Sequence, residues 1–190
     1  YGDHRDLHYP LRRQRQMCIR DRLYSTIDGH TKDICEYIYK KLNGKKKVNI
    51  ISIEESENYD LSDYEEIVIG ASVRYGYHRK NVYKFIKDNI EILDKLKTVF
   101  FSLNLTARKP EKSTPETNPY IKKFLKKVKW EPTLKEVFAG RLDYPSLDPL
   151  NKLAILFIMF ITNGPKDTSK TYELTDWKKV DSLIKSISKF

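Results

Sequence analysis

From Leu23 onward, short β-branched runs alternate with helical patterns. Residues 48–53, 67–71, 98–103 and 134–139 are dense in Val, Ile, Leu and Phe. Several of these runs are nearly continuous apolar, which predicts strands buried on both faces. Between them the apolar spacing becomes helical. Ile34, Cys35, Ile38 and Leu42 share one face of a helix predicted over 31–42, and Asn43-Gly44 stops it. Val82, Phe85, Ile86 and Ile90 predict a second helix over 79–93. Ile121, Phe124, Leu125 and Val128 predict a third over 119–128, and Trp177, Val180, Leu183, Ile184 and Ile187 a last one over 176–187. With a first strand ahead of the first helix, this order implies an α/β fold, a doubly wound five-stranded parallel sheet with helices on both faces.

One helix stands outside this alternation. Asp148 as N-cap, Pro149 at the first helical position and Gly164-Pro165 as a stop define residues 148–163, inside an insert over 144–170 after the fifth strand. It is apolar all round from Leu153 to Ile161 and has to bury that surface somewhere. A bilayer span needs about 20 residues, so the run is too short to cross. Docking on a lipid surface through Leu153, Leu156, Phe157 and Phe160 is one reading, and a core or subunit interface the other.

At 190 residues, with 39% hydrophobic and 33% charged positions, the chain fits one domain with a real core, so disordered and disulfide-scaffold classes are excluded. The net charge of +10 points to an acidic partner without choosing among nucleic acid, anionic lipid and a carboxylated or phosphorylated ligand. The lysine clusters at 45–47 and 122–127 read as a solvated turn and the wet face of a helix, so no nucleic acid is expected. Cys18 and Cys35 form neither a CxxC nor a zinc pattern, as expected in a reducing cytoplasm. His4, His8, His30 and His78 form no triad or metal pattern; each is expected to be exposed and structural, and no metal is expected.

Basic composition divides the chain abruptly. Residues 1–22 hold six arginines and no lysine, whereas 23–190 hold four arginines and 26 lysines. The segment ending RQRQMCIRDR resembles translated adapter sequence, and residues 1–22 are expected to be a non-native arm outside the fold, with 23–190 the folded domain. The alternative is a natural basic arm.

Candidate chemistry gathers in the loops that follow the strands. Leu23 to Thr31 reads LYSTIDGHT, hydroxyl and turn residues ahead of a helix N-terminus, where N–H groups and the dipole suit a phosphate monoester. Neither a Walker loop nor GxGxxG occurs, and the stretch alone is equally an ordinary N-cap with a glycine turn. In a doubly wound sheet the same ligand meets the loops after the third and fourth strands, here SVRYG at 72–76 and NLTARK at 104–109.

Tyr24-x-Thr26-x-x-Gly29-x-Thr31 resembles the flavodoxin signature. The stretches IGASVRYGYH, FFSLNLTARKPEKSTPETNPY and TDWKKV are similar, more specifically, to the menaquinone-dependent protoporphyrinogen oxidase family, from Leu23 to about Ile187. The resemblance implies a flavodoxin-like fold and FMN-dependent oxidation of protoporphyrinogen IX to protoporphyrin IX. It also implies electron transfer to menaquinone or another membrane quinone, and a cytoplasmic enzyme peripheral on the inner membrane face. FMN phosphate would be held by Ser25, Thr26, Asp28, Gly29, His30 and Thr31. Its ring system would lie among Ala71, Ser72, Arg74, Tyr75 and Gly76 on one side and Ser102, Leu103, Asn104, Leu105, Thr106 and Ala107 on the other, with Tyr75 stacking. Substrate propionates would meet Arg74, Arg108, Lys109 and Arg141, with pairing of these cations to Glu111 or Glu116 as the structural alternative. The flavin carries the redox chemistry, so no catalytic side chain is assigned.

Two departures stand out. The family's aliphatic first strand is replaced by Ile19-Arg20-Asp21-Arg22, as if the foreign arm overwrote it, and Asp143 stands where the family has an arginine, two residues from Arg141. The alternatives are a flavodoxin-type electron carrier, which the basic charge disfavours, another FMN-dependent quinone-linked oxidoreductase, and a non-enzymatic membrane-interaction protein on the same scaffold.

Overall fold

The computed structural model describes residues 19–25, 29–42, 47–58 and 60–190. In chain order, β1 (Ile19–Ser25) is followed by α1 (His30–Leu42) and β2 (Lys47–Ser52). Two short 3-10 turns precede β3 (Glu66–Arg74), which folds back into the two-residue β4 (Tyr77–His78). Next come α2 (Lys80–Asp88), α3 (Ile90–Leu93) and β5 (Lys97–Leu103). Beyond two further 3-10 turns lie α4 (Pro119–Val128), β6 (Leu134–Phe138), β7 (Arg141–Asp143), α5 (Pro149–Ile161), β8 (Thr171–Glu173) and α6 (Trp177–Ile187).

The main sheet runs β2-β1-β3-β5-β6, all parallel, with β4 added antiparallel to β3. The order reverses between β1 and β3, and the crevice beyond the carboxyl ends of these strands is where such folds take ligands. Side chains alternate across the sheet. Ile67, Ile69, Ala71 and Phe100 join Val82, Ile86, Ile121 and Phe124 on the α2 and α4 side. Val68, Val99 and Phe101 join Ile34, Ile38, Val180 and Ile187 on the α1 and α6 side. Gly70 is required by this packing, because a Cβ there would come within 2.3 Å of the Phe101 ring.

The backbone of β1 takes in Ile19–Arg22, which the composition break assigns to an arm outside the fold. Arg20, Asp21 and Arg22 pair in register with both β2 and β3. The reason is positional. Without a strand there, the facing edges of β2 and β3 would bury unpaired backbone donors and acceptors, so backbone pairing can recruit residues whose side chains argue against a strand. The helix predicted over 79–93 is also two helices. At Asn89 both the backbone N–H and the side-chain Nδ2 donate to the Phe85 carbonyl, 3.2 and 2.9 Å away, and the chain turns out of α2.

The insert stands on a small antiparallel base formed by β7 and β8, which periodicity did not reveal. On it α5 buries Met159 and rests Ile155 and Leu156 against Leu142 and Tyr144. Leu150, Leu153, Phe157, Phe160 and Ile161 remain exposed. Leu156 therefore lies on the packed side, and of the four lipid-facing candidates Leu153, Phe157 and Phe160 form the exposed group.

Candidate active site

The loop entering α1 begins the site. Gly29 adopts a φ of +76°, a conformation that favours glycine, and its carbonyl accepts the Asp33 N–H at 3.1 Å. One residue on, Thr31 is fully buried at the first turn of α1, and its hydroxyl has no hydrogen-bond partner among the described residues. A buried hydroxyl without a partner costs about 1–3 kcal/mol. At a helix N-terminus, an anion that accepts from it would remove that cost and meet the positive dipole end. Ser25 ends β1, while Thr26 and Asp28 lie outside the described residues.

His30 is buried rather than exposed. Its Nε2 lies 2.8 Å from the Thr175 hydroxyl, which itself donates to the Ala139 carbonyl at 2.8 Å. Because that hydroxyl proton is already used, Nε2 carries the donor hydrogen, and Nδ1 faces Asp33 at 3.5 Å. His30 thus ties α1 to the segment between β8 and α6 through Nε2, while its buried Nδ1 has no hydrogen-bond partner among the described residues.

Beyond the strand ends is a cleft of ≈ 260 Å³. His30 and Thr31 line it from α1, Ser72 and Arg74 from the end of β3, and Leu103, Asn104 and Leu105 from the end of β5. Arg141, Asp143, Asp148 and Ile155 close it from the insert. Arg141 pairs with Asp33 at 3.5 Å. Hydroxyls of Ser146 and Thr171, 2.6 and 2.7 Å away, hold the Asp143 carboxyl below the usual range.

A second cleft, ≈ 290 Å³, opens beside it under α5. Arg74, Tyr75 and Gly76 form one wall, Thr106, Lys109 and Lys112 another, and Ala154, Ile155 and Ile158 the roof. Tyr75, expected to stack on a flavin ring, lines this cleft and not the first. It has a φ of 51°, is 75% exposed, and donates to Asn151 Oδ1 at 2.6 Å.

Some candidates stand behind the clefts. Ala71 and Ala107 belong to the core. Ser102 is buried 2.9 Å from His78 Nε2, and His78, expected to be exposed, is itself buried, which pushes its pKa down to about 3. Asn104 Nδ2 reaches the same hydroxyl at 3.4 Å, and Asn104 Oδ1 accepts from Thr106, Ala107 and Asn118. Asn118 also caps α4 and donates to the Lys112 carbonyl at 2.8 Å. The ARKPEKSTPETN stretch is thus a braced loop. Lys179 of α6 completes the bracing by reaching Glu136, the Val137 carbonyl and the Ser113 carbonyl. Sequence reasoning missed the roles of Asn118, Lys179 and His78, since each partner is distant in sequence or carries no motif.

Of the four substrate candidates, Arg74, Arg108 and Lys109 line the second cleft, and Arg74 and Arg141 the first. Arg108 neither pairs with Glu111 nor with Glu116. It donates to the Leu105 carbonyl at 2.9 Å and to the Thr162 hydroxyl and carbonyl at 2.6 and 3.2 Å.

A parallel sheet in this order, with a cleft beyond the strand ends at its reversal point, defines a flavodoxin-like protein, and residues 23–169 match the flavodoxin domain model. The protoporphyrinogen IX dehydrogenase [quinone] of Leishmania major is 42% identical over 160 residues, 83% of this chain and 69% of that protein. The protein of the same name from Escherichia coli strain K12 is 36% identical over 167 residues, 87% and 92% of the two chains. The chain belongs to the flavodoxin domain family and, within it, to the group of these dehydrogenases.

Proposed function

We propose that this protein oxidises protoporphyrinogen IX to protoporphyrin IX, using FMN as its redox group and a quinone as electron acceptor. The observation that carries the reading is the 36–42% identity to two protoporphyrinogen IX dehydrogenases over most of the chain. Bound FMN supplies the two-electron chemistry, taking electron pairs from the porphyrinogen and delivering them to the quinone. The chain's own contribution is binding, orientation and electrostatics. Gly29 and Thr31, with Ser25, Thr26 and Asp28, would hold the phosphate, and the Thr31 hydroxyl, without a partner among the described residues, supports an anion there. Ser72, Arg74, Leu103, Asn104 and Leu105 would flank the ring system in the first cleft. The bonds around Asn104 and Asn118 keep that wall rigid, so little ordering is needed on binding.

The same reading includes attachment to the inner membrane face, where a hydrophobic quinone resides. No helix among the described residues is long and apolar enough to cross a membrane. Support comes from the exposed outer side of α5. At about 25 cal/mol per Å², burying about 300 Å² of it would supply several kcal/mol, enough for reversible attachment.

The test is to purify the protein with its flavin, identify that flavin after denaturation, and follow porphyrinogen oxidation with and without a quinone. FMN and quinone-stimulated turnover are expected. FAD, or an FMN-loaded protein that leaves protoporphyrinogen untouched, would overturn the reading.

A further inference from the structure

We infer that the second cleft, under α5, is the seat of the substrate's carboxylate-bearing edge, and that Lys112 and Ala154 help set its specificity. The inference rests on the porphyrinogen reading above and goes beyond it by separating the substrate's seat from the flavin's.

Charge distinguishes the two clefts. Two aspartates, Asp143 and Asp148, line the first cleft beside Arg74 and Arg141, and Arg141 is engaged by Asp33. Among the described residues the lining of the second includes Arg74, Arg108, Lys109 and Lys112 and no carboxylate. Arg108 is committed to Thr162, but Lys109 and Lys112 are half-buried and in no ion pair among the described residues. Both lysines line the cleft, where a carboxylate of a ligand would pair with them. Lys109, between the two 3-10 turns after β5, Lys112, at the end of the second, and Arg74 of β3 line the cleft together, which suits a ligand carrying more than one carboxylate.

Shape agrees with charge. The opposite wall is apolar and built from Ala154, Ile155 and Ile158 of α5. Ala154 is the small residue of that wall, leaving room for a flat ring. Ligand pockets usually span about 300–1,000 Å³, so a cleft of ≈ 290 Å³ grips one edge of a tetrapyrrole and leaves the rest outside. The cleft adjoins the first through Arg74, Asn104, Leu105 and Ile155, which line both. A substrate held by its acidic edge therefore lies next to the flavin's expected position without displacing it.

The test compares the flavin-loaded parent with a Lys109→Gln/Lys112→Gln variant and with Ala154→Trp, using protoporphyrinogen IX and its dimethyl ester. The lysine variant should raise the Michaelis constant for the free acid about tenfold at full flavin content, since losing charged hydrogen bonds weakens binding by at least that factor. The ester should bind the parent about as weakly as the free acid binds the lysine variant. Ala154→Trp should weaken both substrates. An unchanged Michaelis constant in both variants, with turnover intact, would overturn the placement while leaving the functional reading standing. Absence of porphyrinogen turnover in the parent would overturn both.

Discussion

The Arg108 guanidinium donates to both the hydroxyl and the carbonyl of Thr162, joining the loop after β5 to the C-terminal end of α5. It places a positive charge at the C-terminal end of a helix, where the dipole favours cations. Arg108 so sets how far α5 stands from the sheet, and with it the width of the second cleft. Arg108→Gln should lower stability by about 1.5–3 kcal/mol, the worth of a charged hydrogen bond. It should also raise the Michaelis constant more than it weakens FMN binding. Urea unfolding and flavin titration check the two effects separately, and equal losses of substrate and flavin affinity would count against a clamp confined to the insert.

Thr31→Val should act in opposite directions on the free and flavin-bound protein. In the free protein it replaces a buried hydroxyl that lacks a partner among the described residues, so stability should hold or rise. FMN affinity should fall about tenfold or more, because a hydrogen bond to a charged phosphate is worth about 1.5–3 kcal/mol. Fluorescence titration with FMN and thermal unfolding of the free protein measure both. Unchanged FMN affinity would put the phosphate elsewhere.

His78 should make the protein acid-sensitive. Burial lowers its pKa from 6.5 to about 3, so the unfolded chain takes up a proton in a range where the folded chain does not. The stability this neutral histidine permits is complete above pH 6.5 and is lost as pH falls towards 3, at up to about 1.4 kcal/mol per unit. Denaturant midpoints between pH 7 and 4.5 should fall for the parent and less for His78→Gln. Parallel slopes for the two proteins would remove His78 as the cause.

Gly70→Ala would place a methyl group against the Phe101 ring. The clash should cost about 1–3 kcal/mol, as overpacking of a filled core does. Phe101→Leu in the same chain should recover part of the loss. A double-variant cycle read by denaturant unfolding measures that coupling, and strict additivity would show that the two positions do not meet.

Serine at Leu153, Phe157 and Phe160 should release the protein from liposomes while leaving unfolding unchanged, because all three are exposed. Leu156→Ser should instead destabilise the insert, as Leu156 packs with Leu142, Tyr144 and Met159. Since Lys152 is the helix's only basic residue, attachment should depend weakly on salt. Co-sedimentation with liposomes at two salt concentrations checks this, and a parent that never sediments would leave α5 without a membrane role.

The sequence by itself determined the elements whose signals are local. Helix α4 spans residues 119–128 as its periodicity and capping indicate, and α5 follows from Asp148, Pro149 and Gly164. The α/β order, the phosphate-suited turn at Gly29 and the family resemblance were legible for the same reason, since they lie in contiguous residues. Only the tertiary structure decided what depends on distant partners. His30 and Thr175 are 145 positions apart, and Arg108 and Thr162 are 54 apart. No spacing rule could have shown that His30 ties α1 to the β8–α6 segment, or that Arg108 clamps the end of α5. The strand at Ile19–Arg22 illustrates the same limit, because its place depends on the two edges it joins and not on its own side chains.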